Sequence, residues 1–177
     1  MCNNDHKHNK SEQLKAIPIA GEQISDSERD AIREAMGDRA LYLLFIKREL
    51  EKVGIQGVEA ILHRAIRAYG QYKTGGRVFA SPRDFLDFIF TTRSQKVMIG
   101  QVLENSDEQA VLREHYCPLY QAWKHAGCSV DEIKQLCGIA DGVDLGMTEN
   151  SPLEIEFGGE MATIGNYCQM AIKKRTK

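Results

Sequence analysis

The stretches "KVMIGQVL" (residues 96–103) and "QAVLREHY" (residues 109–116) decide the fold, because the apolar pattern changes its period there. Upstream, apolar residues recur at three- and four-residue intervals, the repeat of helices with one buried side. These two stretches read as strands instead, joined by the polar turn Asn105-Ser106-Asp107-Glu108 in the manner of a β-hairpin.

Working outward toward the N-terminus, three helices are expected. Ser27 with Asp30 resembles a capping box, and Gly37 divides the first helical segment. "DRALYLLFIKRELEKVG" then carries Leu41, Leu44, Phe45 and Leu50 on a broad apolar face. Val58, Ile61, Leu62, Ala65, Ile66 and Tyr69 form the stripe of a second helix, which ends at Gly70 or at Gly75-Gly76. Ser81-Pro82-Arg83-Asp84 starts a third, with a serine cap and proline at the first helical position.

Toward the C-terminus, Leu119, Ala122, Trp123 and Ala126 mark a short helix. Val130, Ile133, Cys137 and Ala140 mark another, capped by Ser129 with Glu132. "LEIEF" (residues 153–157) alternates strictly, and Cys168, Met170 and Ile172 share one side of a last strand. The expected fold class is α+β: a helical N-terminal half, then a small antiparallel sheet with two helices inserted, ββααββ. Residues 25–177 are read as one domain, helical over 25–94 and sheet-containing over 95–177, behind a disordered polar tail at 1–24.

Composition narrows the class of protein. Hydrophobic residues make up 42 % of the 177 residues and charged residues 27 %, a soluble globular balance. Net charge is −2 with the signs mixed, so no nucleic-acid partner is expected. No apolar run approaches the roughly 20 residues that cross a bilayer, so no membrane partner is expected. The polar start, "MCNNDHKHNK", is not expected to act as a secretory signal. The thiols of Cys2, Cys117, Cys128, Cys137 and Cys168 are therefore expected to be reduced, in the cytoplasm. None forms a CxxC pair, which argues against a zinc ribbon.

The chemistry concentrates in "EHYCPLYQAWKHAG" (residues 114–127). Pro118 at a first helical position makes Cys117 an N-cap, where free amides and the helix dipole favour a thiolate. A strand running through 117 would put Arg113, His115 and Cys117 on one side, with His115 as base. The plainer reading is a small apolar residue closing a strand–helix corner. Buried packing is likewise the plainer reading of Cys137 and Cys168. Cys117, Cys137, Cys168 and His115, should they converge, would make a four-ligand site for a divalent metal such as zinc.

"YCPLYQAWKHAG", "LCGIADGVDLGMTENSPLEIEF" and "MATIGNYCQM" together resemble the L-2-amino-thiazoline-4-carboxylic acid hydrolase family. The matching positions are Cys117, Pro118, Tyr120, Trp123, Gly127, Cys137, Gly146, Pro152, Gly165 and Cys168, and the resemblance spans about residues 38–175. A more distant similarity is to the 4-vinyl-reductase type of small-ligand-binding domain. The acidic residues associated with the late cysteine are replaced here by Asn166 and Gln169.

The resemblance implies hydrolytic opening of a cyclic amidine-like ring to an N-carbamoyl amino acid, with Cys117, Cys137 and Cys168 at one site. Cys117 would attack, His115 would shuttle the proton, and Arg113 would hold the substrate carboxylate. Tyr120, Cys137 and Cys168 would complete the substrate contacts. Metal-activated water is the competing route. The alternative from another class is a non-catalytic sensor that holds a small ligand or metal in the same cysteine-lined pocket. The partner is a small molecule in either case, and self-association into a homo-oligomer is left open.

Overall fold

The computed structural model of the protein describes residues 23–159 and 161–175, so the expected tail lies outside the described residues except for Gln23 and Ile24. Ile24 is already buried, and its carbonyl accepts a hydrogen bond from Lys96 Nζ at 2.6 Å. Helix α1 (Asp26–Lys52) is capped by Ser25, not Ser27. The Ser25 hydroxyl accepts from the Glu28 amide while the Glu28 carboxylate accepts from the Ser25 amide, a complete Ser-x-x-Glu box. Gly37 does not divide the helix, because tertiary packing outweighs the roughly 1 kcal/mol that a helical glycine costs. Ala40 and Leu44 are buried, whereas Phe45 is 56 % exposed, so the inward stripe is narrower than the sequence suggests.

Helix α2 (Val58–Thr74) passes through Gly70 and stops at Gly75, whose φ of 58° is left-handed. Helix α3 (Pro82–Ile89) begins as expected, with the Ser81 side chain accepting from the Asp84 amide. Helix α4 (Thr92–Met98) then takes residues expected to open the first strand. Its cap is Thr91, and Ile99 leaves it at φ 49°. The strands are β1 (Gly100–Asn105), β2 (Gln109–Glu114), β3 (Leu153–Gly158) and β4 (Cys168–Lys174). Between β2 and β3 lie α5 (Pro118–His125), α6 (Val130–Ala140) and α7 (Gly142–Met147), and α8 (Met161–Ile164) precedes β4.

The fold class is α+β, as the change of period indicates. All four strands are antiparallel in the order β1-β2-β4-β3. Leu112 pairs with Met170 and Glu114 with Cys168, so the end of β2 meets the start of β4. Val102, Ala110, Leu112, Leu153, Met170 and Ile172 form one buried face of the sheet, packed on Phe79, Phe85 and Leu86 around α3. A second core joins α1, α5 and α6 around Trp123, whose indole N–H donates to the Ala40 carbonyl at 2.9 Å.

Helices α2 and α7 cross in close contact. A Cβ on Gly70 would sit 2.1 Å from the Val143 carbonyl oxygen, and one on Gly146 would sit 2.0 Å from that of Arg67. Glycine is therefore required at both positions for the backbones to approach. This crossing fixes α7, the helix that brings Asp144 to the site. Among the described residues, no helix is long and apolar enough to cross a membrane.

Candidate functional site

A cavity of about 550 Å³ lies between the sheet and the helices. Leu112 and Glu114 reach it from β2, Cys117 from the start of α5, Cys137 from α6, Asp144 from α7 and Cys168 from β4. The lining is mostly apolar, and Lys73 and Arg93 add two cations.

Cys117 is the N-cap of α5, with φ −128° and ψ 115° and Pro118 in the first turn. Its sulfur accepts no cap hydrogen bond of acceptable geometry. Burial, first of all, pushes the thiol up to about 12, and Glu114 and Cys168 add to the rise. The amides of Tyr120 and Leu119 pull the other way without reversing it. The expected easy ionisation is thus corrected: loss of hydration outweighs the helix-start field, and the thiol is neutral at physiological pH.

His115 and Arg113 do not share the cavity with Cys117. The chain leaves the β2 ladder after Glu114 and bends at His115, so the period-two count does not extend to residue 117. His115 is exposed, its Nδ1 lying 3.2 Å from the Asn166 carbonyl. Arg113 points to the opposite face of the sheet. Its Nη2 donates to Gln169 Oε1 at 2.8 Å, and its guanidinium lies 4.2 Å from the centre of the Tyr167 ring. Tyr120 packs in the α1–α5–α6 core with Lys124 Nζ 5.8 Å from its ring centre, away from the cavity wall. The three cysteines Cys117, Cys137 and Cys168 do border one cavity, and the Cys168 sulfur accepts the Met161 amide at 3.5 Å.

Two carboxyls that the sequence reading passed over are the strongest features of the cavity. Each keeps some accessible surface, yet loss of hydration dominates its titration. Burial above all, with the charge of Asp144 adding to it, raises Glu114 to about 8. Burial also raises Asp144, to about 6, against the opposing pull of Lys73. Near neutral pH the pair therefore holds one ionised and one protonated carboxyl. A sequence signal for Glu114 existed. Ala110 and Leu112 are the buried side of β2, and period two places Glu114 next on that side. An acid on the buried side of a strand is itself a pointer to a functional site.

Metal binding by Cys117, Cys137, Cys168 and His115 does not fit this geometry, since His115 faces away. Among the described residues, no three His, Cys, Asp or Glu side chains are grouped to hold an ion.

The cavity is partly open and largely apolar, and it brings two carboxyls with unequal titrations into one space. The family model for L-2-amino-thiazoline-4-carboxylic acid hydrolase matches residues 28–172. The chain belongs to that family, and a hydrolase-type function follows at family level. No curated protein and no solved structure matches it.

Proposed function

We propose that the protein hydrolyses a cyclic amidine-like ring that carries a carboxylate, opening it to an N-carbamoyl amino acid. The observation that carries this reading is the Glu114–Asp144 pair, whose titrations are split in a single cavity. A split pair supplies a base and an acid at the same pH.

Asp144, ionised near neutrality, takes a proton from water as its oxygen attacks the central ring carbon. Glu114, protonated at the same pH, gives its proton to the departing sulfur as the carbon–sulfur bond breaks. The proton left on the attacking oxygen passes to the ring nitrogen, so the product is a urea with a free thiol, and a proton returning from Asp144 to Glu114 resets the pair. Lys73 favours the ionised form of Asp144 before attack. Cys117 is a neutral wall of the chamber in this scheme, because a thiol raised to about 12 is a poor nucleophile.

The test is turnover of L-2-amino-thiazoline-4-carboxylate, followed by mass spectrometry of the carbamoyl product. Asp144→Asn and Glu114→Gln should each lower kcat by about 10²–10⁴, the range for general acid–base groups. Cys117→Ser should stay within about tenfold of wild type. Full activity in Asp144→Asn overturns the mechanism. Binding without turnover in the wild type favours the non-catalytic sensor.

A further inference from the structure

We infer that Arg93 is the anchor for the carboxylate of the ligand, and that the cavity admits its ligand with the basic ring first and the acidic group last. The inference rests on the reading of the ligand as a carboxylated cyclic amidine, and it assigns the end of the molecule that the carboxyl pair does not handle.

The charges around the chamber are arranged by depth. Glu114, Asp141 and Asp144 are partly buried, whereas Lys73 and Arg93, also on the lining, are exposed. An anionic group pushed toward Glu114 and Asp144 would meet like charge in a poorly hydrated space, so it must remain at the rim. An amidine, which is basic, is favoured at the carboxyls for the same reason. The rim offers two cations. Lys73, at the end of α2, acts on Asp144. Arg93, in the first turn of α4, makes no ion pair among the described residues, and it acts only weakly on Glu28, across the helix starts. Its neighbours on the lining, Val97 and Met98, are apolar, and Val97 is buried. A guanidinium holds a carboxylate through two parallel N–H donors, a geometry that ammonium lacks. Arg113, the cation first suggested by the sequence, is held on the other face of the sheet by Gln169 and Tyr167.

The test compares L-2-amino-thiazoline-4-carboxylate with 2-amino-2-thiazoline, which lacks the carboxylate, on wild type, Arg93→Gln, Arg93→Lys and Arg113→Gln. Turnover is measured as KM and kcat, and binding of both probes by calorimetry. Arg93→Gln should raise KM and Kd for the carboxylated probe about tenfold, the lower end for a charge-assisted hydrogen bond at an exposed rim. It should leave kcat within about twofold and leave binding of the uncharged-tail probe unchanged. Arg93→Lys should recover part of the loss, and Arg113→Gln should behave as wild type. Equal effects of Arg93→Gln on both probes, or no effect on either, overturn the assignment even where turnover stands. Selective binding that depends on Arg93 without any turnover sustains the anchor and removes the hydrolytic reading. Binding of neither probe removes both.

Discussion

Gly146→Ala places a methyl group where α7 meets α2, and the structure fixes the sign of its effect. Alanine is the better helix former by about 1 kcal/mol, so propensity alone predicts stabilisation. The new Cβ, however, would lie 2.0 Å from the Arg67 carbonyl oxygen and 2.8 Å from its carbon. Ordinary contact begins near 3.4 Å, so two helical backbones must part by about 1.4 Å. Forcing a closely packed interface in this way costs about 1–3 kcal/mol at flexible sites, and more where backbone must move. The net expectation is a loss of about 2 kcal/mol, which lowers Tm by about 4–8 °C for a chain of this size. Gly138→Ala is the control. It lies in α6 with nothing within 4 Å of the added atom, so it should raise Tm by about 2–4 °C through propensity alone. Paired thermal denaturation of the two variants reads the difference. Equal, positive shifts would refute the close crossing of α2 and α7, and with it the placement of Asp144.

Three further outcomes follow from particular residues. Ile99 sits at φ 49° and is 52 % exposed, so Ile99→Asn should raise stability in urea by about 0.5–1 kcal/mol by relieving a left-handed β-branched residue. A decrease would show that its side chain packs more than it strains. Cys117 should react with iodoacetamide at pH 8 more slowly than a free cysteine, because burial holds its thiol up near 12; peptide mapping that finds it modified first contradicts this. Glu114 and Asp144 have folded values raised above 4.5 and 3.8, so the folded chain keeps protons that the unfolded chain releases. Stability to urea should therefore fall as pH rises, from about 4.5 to about 8 for Glu114 and from about 3.8 to about 6 for Asp144. Glu114→Gln should flatten the upper part of that slope, and an unchanged slope counts against burial of the carboxyl.

Much of the fold was legible where local chemistry and tertiary packing agree. Ser81-Pro82, Ser129 with Glu132, and Cys117-Pro118 each begin a helix in the sequence and in the structure. "LEIEF" alternates as read, with Leu153 buried and Glu156 paired to Lys173 at 2.7 Å. Helices α4 and α7 were not legible. The first is seven residues long and runs into β1 through the left-handed Ile99, so its apolar residues, Val97 among them, also satisfy a strand pattern. The second has Gly142 and Gly146 in six residues, a poor helix by propensity, kept because α2 needs the close approach.

The site was half legible. The three cysteines were found through family resemblance and do share a cavity. Glu114 is not legible as a cavity residue because the bend at His115 reverses the side that the strand count assigns to its neighbours. Asp144 was missed because it lies on a helix whose reason to exist is tertiary. Arg113 shows the same point from the other side: a strand count taken one bend too far exchanges the face toward the cavity for the face away from it.

The account stands most directly on the protonation of two side chains. Carbon-13 carboxyl resonances of Glu114 and Asp144, assigned through Glu114→Gln and Asp144→Asn, can be followed from pH 3 to pH 10. The account predicts that the pair titrates in two steps, near 6 and near 8, and that the upper step moves down when Asp144 is replaced, since its charge no longer opposes ionisation of Glu114. Two independent titrations in the ordinary carboxylate range near 4 would contradict it, leaving the chamber without the acid and base on which the proposed hydrolysis depends.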